Sequence, residues 1–348
     1  MKVFVTGVGG QLGHDVMNEL HKRGYEGVGS DIALAYNGIA DGSAVTRMPY
    51  VSMDITDADA VAKTIAQVMP DVVVHCAAWT AVDLAEDEDK RDKVRSINVD
   101  GTRNIANACK AAGSKMIYIS TDYVFDGQGE TPWDPDCKDY KPLSVYGQTK
   151  LDGELAVANT IDKYFIVRTA WVFGLNGKNF IKTMLSLSEK YDTLRVVNDQ
   201  VGTPTYTIDL ARLLVDMAET EKYGYYHATN EGGYISWYEF AREIFCRAGK
   251  TVNVLPVSTQ EYGVSKAARP FNSRLDKSKL VKNGFEPLPH WQDALERYLK
   301  EIEELSWVRS KLPNAPSRVC ISLSLLFMAT AGAISWRPIT SGICRKTV

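Results

Sequence analysis

The sequence lacks the patterns that mark disulfide-linked, metal-binding and nucleic-acid-binding proteins. Its six cysteines are scattered and form no CxxC pair, so neither a zinc site nor a disulfide framework is indicated. The five histidines have no metal-ligand spacing, and we therefore predict no protein metal site. The formal net charge of the 348 residues is only -3, which gives no support for a nucleic-acid partner.

The N-terminal stretch MKVFVTGVGG lacks the apolar core and the cleavage site of a secretory signal peptide. Together with the scattered cysteines, this favours a reducing cytoplasm and no association with a membrane. Apolar residues make up 45% of the chain and charged residues 24%, as in an ordinary globular protein. The length is sufficient for about two domains.

Acidic residues are absent from the last part of the chain. Residues 306–348 carry six basic side chains and no acidic one, whereas residues 1–305 carry 34 basic and 43 acidic side chains, which add up to the 40 and 43 of the whole chain. The run 319–336 is mainly apolar, but it is shorter than the ~20 residues that a membrane span needs. We interpret 306–348 as an atypical tail, either a disordered extension or sequence from a shifted reading frame, with a membrane anchor as the alternative.

Strand-like and helix-like segments alternate over the first 174 residues. Short apolar runs such as KVFVT, DVVVHCA and KMIYIS alternate with amphipathic stretches, of which the longest, residues 92–113, ends at Gly113. A parallel sheet with helices on both faces gives this pattern. We therefore predict an α/β fold with a doubly wound parallel sheet of the Rossmann type over residues 1–174. Residues 175–305 are expected to form a smaller C-terminal α/β part that covers one end of the sheet and binds the substrate.

Two finer details of the fold also follow from the sequence. Thr56 and Asp59 have the spacing of a capping box, which predicts a helix that begins there. The run KYFIVRTAWVFG is apolar almost throughout and predicts one strand that continues to Gly174.

Three glycines lie between the first strand and the first helix. Gly7, Gly10 and Gly13 form a G-x-x-G-x-x-G loop, which lets the backbone turn tightly and approach a pyrophosphate at the helix N-terminus. Asp31 follows at the end of the second strand, where a carboxylate accepts hydrogen bonds from ribose hydroxyls and repels a 2′-phosphate. The pattern predicts a dinucleotide site that favours NADH; a tight turn without a ligand is the alternative interpretation.

The next two strands end in residues that suit the same ligand. Asp54 and Ile55 follow the third strand, where an adenine can rest. Ala77 and Ala78 follow the fourth strand and are small enough for a cofactor to lie against the backbone. Packing between a helix and the sheet is the alternative explanation for the two alanines.

The stretch SVYGQTK holds Tyr146 and Lys150 four residues apart, which places them on one face if a helix begins there. Thr121 ends the fifth strand and should face the same crevice, because ligands gather at the carboxyl ends of parallel strands. Hydride transfer to a carbonyl carbon creates an alkoxide that needs a proton, and Tyr146 can donate it. We predict that Lys150 lowers the pKa of Tyr146 and binds the nicotinamide ribose, and that Thr121 holds the carbonyl.

These motifs resemble the extended short-chain dehydrogenase/reductase superfamily and, within it, the dTDP-4-dehydrorhamnose reductase family. The resemblance spans residues 1 to about 304 and is carried by GVGGQLG, CAAWTAVDLAE, INVDGTRNIA, STDYVFDG, PLSVYGQTK, RTAWVFG, DQVGTPTYTIDLA and RPFNSRLDKSKL. It implies an enzyme that uses NADH or NADPH to reduce the 4-keto group of dTDP-4-dehydro-L-rhamnose, which completes dTDP-L-rhamnose for cell-surface polysaccharide.

The resemblance also assigns roles to individual residues. Thr121, Tyr146 and Lys150 match the catalytic positions, and Tyr146 and Lys150 also contact the cofactor. Residues that match the positions near the substrate sugar are Thr121, Asp122 and Trp171. The remaining matches to cofactor positions are Gly10, Gln11, Leu12, Asp31, Asp54, Ile55, Ala77, Ala78 and Trp79. Between Gly29 and Asp54 the chain is longer than the shorter family members, which leaves its adenine-end contacts open.

Two further expectations come from the family. Its members can form a homodimer and can carry Mg²⁺ at the dimer contact, although no ligand set is evident in this sequence. Three other functions remain to be weighed. A nucleotide-sugar 4,6-dehydratase needs an Asp-Glu pair after the threonine, but Asp122 is followed by Tyr123. An epimerase would hold its NAD firmly through turnover, and a regulatory subunit related to that of methionine adenosyltransferase would bind a partner without catalysis.

Truncation tests the interpretation of the tail. Removing residues 306–348 should leave activity and cofactor binding unchanged, because the resemblance ends before them. It should also improve solubility, since an exposed apolar run promotes association. Enzyme assay, cofactor titration and membrane fractionation measure these properties. A truncated protein that fails to fold, or full-length protein that sediments with membranes, would contradict the interpretation.

Overall fold

The computed structural model describes residues 1–39, 41–263 and 265–311, with side chains as far as residue 305. Most of the predicted tail, including the apolar run 319–336, lies outside the described residues. No helix in the described ranges is both long and apolar enough to cross a bilayer.

Seven parallel strands form the central sheet, in the order β11-β6-β5-β4-β1-β2-β3. The predicted doubly wound α/β fold is therefore confirmed. The strands of the described chain are β1 (Lys2–Thr6), β2 (Glu26–Asp31), β3 (Tyr50–Ser52), β4 (Val72–His75), β5 (Lys115–Thr121), β6 (Tyr164–Thr169), β7 (Val172–Phe173), β8 (Thr193–Val197), β9 (Val201–Gly202), β10 (Thr205–Tyr206), β11 (Gly224–His227), β12 (Ile235–Ser236) and β13 (Asn253–Val257).

Helices cover both faces of the sheet. The described helices are α1 (Gln11–Lys22), α2 (Ala58–Val68), α3 (Arg91–Arg95), α4 (Thr102–Ala112), α5 (Val145–Ala158), α6 (Phe180–Ser188), α7 (Thr207–Ala218), α8 (Trp237–Arg247), α9 (Thr259–Tyr262), α10 (Ser278–Lys282) and α11 (Trp291–Lys311). Helices α1 and α7 share one apolar core with the sheet, and α2 and α4 share a second one. Burial of apolar surface on both faces is the main stabilising contribution in such a fold.

The structure differs from the predicted helix starts and strand ends at identifiable residues. Helix α2 is capped by Asp57, whose carboxylate accepts the N–H of Ala60 at 3.0 Å, and not by Thr56 as predicted. Thr56 instead donates its own N–H to Asp54 at 2.9 Å. Strand β6 ends at Thr169 rather than continuing to Gly174, because Trp171 adopts a left-handed φ of 51° that a strand does not allow.

The long helix predicted before Gly113 is present, with an interruption. A π-helical segment, Ser96–Gly101, lies between α3 and α4. The helix ends as predicted, with Gly113 in the left-handed conformation at φ 71°. π-Helical insertions often mark functional positions, and this one carries a buried asparagine, described below.

Residues after 174 contribute to the central sheet as well as to a separate layer. Strand β11 pairs with β6, and α7 packs on α1. Three two-stranded sheets (β7 with β10, β8 with β13 and β9 with β12) and a third apolar core, which includes Phe240 and Trp291, build the remaining part. The division at residue 174 stays a prediction.

A buried ion pair connects α5 to the sheet. Glu154 on α5 and Arg168 on β6 are both 0% exposed, and they form two hydrogen bonds of 2.8 and 2.7 Å. Arg168 also donates to the carbonyl of Pro135 and to the hydroxyl of Tyr140. Bidentate geometry with additional partners compensates the cost of taking both charges out of water.

Removing one partner of this pair should strongly destabilise the protein. Arg168→Met leaves the Glu154 carboxylate buried without its counter-charge, which should lower the free energy of unfolding by about 3–5 kcal/mol. Urea denaturation measures the change. Arg103→Met, at the exposed pair with Asp100, is the control and should change stability little. A loss at Arg168 no larger than that of the control would contradict the role of the pair.

Candidate active site

Thr121, Tyr146 and Lys150 meet at the carboxyl end of β5. Thr121 is the last residue of β5, Tyr146 lies in the first turn of α5, and Lys150 follows one turn later. The Thr121 hydroxyl lies close enough to the Tyr146 phenol to influence its pKa. The predicted catalytic trio is thus brought together by a strand end and a helix start.

The first turn of α5 is fixed by a cap and by close packing. Ser144 caps the helix, and its hydroxyl accepts the N–H of Gly147 at 3.1 Å. A Cβ at Gly147 would lie 2.4 Å from the carbonyl oxygen of Tyr123. Only glycine allows this turn to approach the loop after β5 so closely, which brings Tyr146 within reach of Thr121.

Lys150 is almost completely buried, with 3% of its surface exposed. Its ammonium donates to the carbonyl of Ile119 at 2.7 Å and lies 4.1 Å from the ring centroid of Tyr118. Burial lowers the pKa of Lys150 to about 7, while the charge of Glu154 acts in the opposite direction. The amine of Lys150 therefore exchanges its proton near neutral pH, at the edge of the sheet.

The pKa of Tyr146 shifts in the direction opposite to the prediction. Burial raises it above its ordinary value, the nearby Thr121 hydroxyl lowers it, and the charge of Asp122 raises it. The expected lowering by Lys150 is absent because that ammonium is bonded to Ile119 and burial of the phenol dominates. The phenol is therefore protonated at neutral pH, as a proton donor must be.

Asp122 follows Thr121 and is 2% exposed. Its carboxylate accepts hydrogen bonds from the hydroxyl of Thr121 at 3.0 Å and from that of Ser273 at 2.5 Å. Burial raises the pKa of Asp122 to about 6. Ser273 was missed in the sequence prediction of site residues, although it belongs to the quoted stretch RPFNSRL, because nothing local indicates its contact 151 residues away.

Trp171 lies after β6 in a conformation that is rare for a bulky residue. Its ring stacks on Trp237 with centroids 3.6 Å apart and an interplanar angle of 15°. A Cβ at Gly202 would lie 3.0 Å from the Trp171 ring. Left-handed backbone in a non-glycine residue is frequent at ligand sites, and here the stacking holds it in place.

Asn98 is a second site residue that sequence reasoning missed. It lies in the π-helical segment and is 1% exposed. Its side chain accepts the N–H of Trp79 at 2.8 Å and donates to the hydroxyl of Thr149 on α5 at 3.1 Å. It thereby links the loop after β4 to the helix of Tyr146. The signal that could have revealed it is a polar residue on the helix face that also carries buried Val94 and Ile105.

The glycine loop has the geometry of a dinucleotide cradle. Gly7 has a φ of 71°, and a Cβ there would lie 2.6 Å from the backbone nitrogen of Ala77. A Cβ at Gly13 would lie 2.3 Å from the carbonyl oxygen of Gly7. Helix α1 begins just after Gly10 without a side-chain cap, so its first N–H groups suit an anion such as a pyrophosphate.

The other predicted cofactor residues surround this cradle in different ways. Asp31 accepts the N–H groups of Gly9 and Ile32 at 2.9 and 2.8 Å. The amide oxygen of Gln11 accepts the N–H of Gly174 at 2.8 Å. Leu12 is 8% exposed and packs in the core, so it can offer only its backbone to a ligand.

The residues after β3 and β4 also differ in burial: some pack in the core and others remain accessible to a ligand. Ile55 packs with its side chain against Gly101 and is 8% exposed, which leaves exposed Asp54 as the polar group at this strand end. Ala77 donates its N–H to the hydroxyl of Thr6. Ala78 and Trp79 follow Ala77 in the loop after β4, and both are partly exposed.

No group of three or more His, Cys, Asp or Glu side chains in the described ranges is arranged to hold a metal ion. The Mg²⁺ that the family resemblance allowed therefore has no candidate ligand set among these residues.

Comparison with known proteins decides the family. A family model, the RmlD substrate binding domain, matches residues 1–304. The chain belongs to the RmlD substrate binding domain family. The match includes every element that forms the site, from the glycine loop to the RPFNSRL stretch.

Named relatives of this family cover most of the chain. The dTDP-4-dehydrorhamnose reductase of Streptomyces griseus is 40% identical over 298 residues, which are 84% of this chain and 91% of the relative. The spore coat polysaccharide biosynthesis protein SpsK of Bacillus subtilis (strain 168) is 39% identical over 300 residues, or 86% of this chain and 97% of the relative.

Solved structures resemble the fold of this chain. A crystal structure of dTDP-4-dehydrorhamnose reductase from Bacillus anthracis in complex with NADP is 40% identical, has a TM-score of 0.77, and is matched over 86% of this chain and 99% of its own. A UDP-glucose 4-epimerase from Thermus thermophilus, at 20% identity and a TM-score of 0.71 over 87% of this chain and 99% of its own, shows only the shared fold.

The raised pKa of Asp122 predicts a pH-dependent stability. The folded carboxyl, with a pKa of about 6 against 3.8 ordinarily, binds its proton more tightly than the unfolded one. Its contribution to stability is therefore present at low pH and lost as the pH rises through about 4 to 6. Asp122→Asn cannot ionise and should gain stability relative to the parent protein over this window, by about 3 kcal/mol at most. Urea unfolding of both proteins at about pH 4.5 and 7 measures this gain. If the difference in stability between the variant and the parent were the same at both pH values, the raised pKa of Asp122 would be contradicted.

Proposed function

We propose that the protein reduces the 4-keto group of dTDP-4-dehydro-L-rhamnose to dTDP-L-rhamnose with a reduced nicotinamide dinucleotide. One observation carries the proposal: Thr121, Tyr146 and Lys150 converge at the sheet edge next to the glycine cradle. The relatives named dTDP-4-dehydrorhamnose reductase, at about 40% identity, support the substrate. SpsK, named for polysaccharide biosynthesis, supports a role in making polysaccharide precursors.

The residues have distinct roles in this reaction. The dinucleotide, when bound, supplies the hydride. Tyr146, whose burial keeps the phenol protonated, donates a proton to the carbonyl oxygen as negative charge develops there. Thr121, which ends β5 beside the first turn of α5, orients the same oxygen. Lys150, one turn after Tyr146 on α5, can bind a ribose hydroxyl of the dinucleotide.

The substrate sugar is expected on the side of Asp122 and Trp171. Asp122 is held by Ser273 from the C-terminal part, and Trp171 is held by Trp237 on α8. We propose accordingly that residues 1–174 bind the dinucleotide and that residues 175–305 bind the sugar nucleotide. The cytoplasmic location and the homodimer remain predictions.

Tyr146→Phe tests the proton donor. The variant lacks only a hydroxyl, so cofactor binding should stay nearly intact, while kcat should fall by about 10²–10⁴-fold. Oxidation of the reduced dinucleotide with dTDP-4-dehydro-L-rhamnose measures the rate. Tyr191→Phe, at a tyrosine that is 56% exposed, is the control and should be fully active. A Tyr146→Phe enzyme that keeps more than about half of its activity would rule out this role.

Asp31 should favour NADH over NADPH. Its carboxylate stands at the end of β2 and is fixed by Gly9 and Ile32, so a 2′-phosphate there meets a negative charge. The NADP complex of the Bacillus anthracis relative makes a comparison of both cofactors necessary. We expect kcat/KM to be about tenfold higher with NADH, a difference of about 1.4 kcal/mol, and Asp31→Asn to narrow the ratio.

Steady-state kinetics with both cofactors measure this preference. Asp59→Asn, on the exposed surface of α2, is the control and should leave the ratio unchanged. An unmutated enzyme that prefers NADPH would refute the role of Asp31.

A further inference from the structure

Asn176 lies behind the glycine loop, in the short segment between β7 and α6. It is 5% exposed, and its side-chain amide makes three hydrogen bonds. The nitrogen donates to the carbonyls of Gly9 at 2.9 Å and Gly10 at 3.1 Å, and the oxygen accepts the N–H of Ile39 at 2.9 Å. Both ends of the amide are thus satisfied by backbone groups.

The two carbonyls that Asn176 binds belong to the loop that forms the cradle. A peptide group carries its N–H and its C=O on opposite sides, so fixing the carbonyls of Gly9 and Gly10 fixes where the following N–H groups point. The N–H of Gly10 donates to the carbonyl of Gly7 at 3.0 Å, so the group that is left for a ligand at this point is the N–H of Gln11, the first residue of α1. Glycine has little conformational preference of its own, and Asn176 adds contacts from outside to the bonds that Gly10 makes with Gly7 and His14.

The orientation of the Asn176 amide is set by Ile39, in the segment between β2 and β3. Because Ile39 donates an N–H, the amide oxygen faces it and the nitrogen must face the glycine loop. Two residues near Ile39 contact α1: the ring of His14 bonds the hydroxyl of Tyr36 at 2.6 Å and the carboxylate of Asp41 at 3.1 Å.

Close packing leaves the amide little room to rotate. A Cβ at Gly38 would lie 2.7 Å from the side-chain nitrogen of Asn176. The neighbouring Asn179 donates to the amide oxygen of Gln11 at 3.0 Å and to the hydroxyl of Tyr298 at 2.8 Å. The segment 174–179 therefore joins the start of α1 to α11 through side-chain amides.

We propose that Asn176 is a positioning residue for dinucleotide binding, which fixes the glycine loop so that the N–H of Gln11 faces the pyrophosphate, and that Ile39 sets the direction of its amide. The proposal rests on the proposed function only in that the ligand is a dinucleotide. Neither Asn176 nor Ile39 was predicted from the sequence to have a role in the site.

The variant Asn176→Leu removes all three hydrogen bonds and keeps the branching and the number of heavy atoms of the side chain. We expect the Kd for NADH, measured by fluorescence titration of the purified full-length protein, to rise about tenfold or more, equivalent to about 1.4 kcal/mol. At saturating NADH, kcat and the KM for the sugar nucleotide should stay within about twofold of the parent values, because the trio at β5 is untouched. If Asn176 had only a structural role, the variant would lower the melting temperature without raising the Kd for NADH separately from kcat and KM.

Asn283→Leu is the matched control. Asn283 also donates its side-chain amide to a backbone carbonyl, that of Lys279 at 3.0 Å, but it lies at the end of α10. This variant should change the melting temperature and leave the Kd for NADH unchanged. Asn176→Asp is the second test variant: it keeps the acceptor for Ile39 and sets an oxygen against the two carbonyls, so the Kd should rise again.

The outcomes separate this proposal from the proposed function. A folded Asn176→Leu protein that binds NADH within about twofold of the parent Kd would overturn the positioning role and leave the function standing. Failure of both Asn176 variants to fold would assign the residue to stability and would also overturn it. A parent protein that binds neither NADH nor NADPH would instead refute the proposed function.

Discussion

The candidate site depends on how closely helix α5 packs against strand β5. A Cβ at Gly153 would lie 2.4 Å from the hydroxyl of Tyr118, so the helix approaches the sheet to a distance that any side chain at this position would prevent. The pair of Glu154 and Arg168 holds the same turn against β6. One turn earlier, the packing carries Lys150 under the sheet edge and places Tyr146 beside Thr121.

Burial then determines the electrostatics of the site. The charges of Lys150, Glu154 and Arg168 are all out of water, and each is compensated by a fixed partner: a backbone carbonyl for Lys150 and a bidentate contact for the pair. In such surroundings charged forms are disfavoured unless paired. This explains why the phenol of Tyr146 stays protonated while the pKa of Lys150 approaches 7. The arrangement suits a proton donor that acts only when charge develops on the substrate.

Local patterns in the sequence were sufficient to predict the fold class and the grouping of Thr121, Tyr146 and Lys150 at the end of β5. Glycine spacing, a strand end and an i, i+4 pair are short-range signals, and the structure places all three at one edge of the sheet. The direction of the Tyr146 pKa could not be read from its spacing to Lys150, because the burial that dominates it comes from distant residues. Ser273 and Asn176 escaped prediction for the same reason: their partners lie 151 and about 166 residues away in the chain. The cap at Asp57 is a local hydrogen bond from the N–H of Ala60, whereas the left-handed Trp171 is held by its stacking on distant Trp237.

Isotope transfer tests the central claim most directly. If the protein is a 4-ketoreductase, NADH labelled with deuterium at nicotinamide C4, on the transferred face, should deliver one deuterium to C4 of the sugar with stoichiometric oxidation of the cofactor. NMR of the purified dTDP-sugar locates the label. Conversion of a sugar nucleotide without net consumption of NADH, or a product that carries no label at C4, would contradict the account.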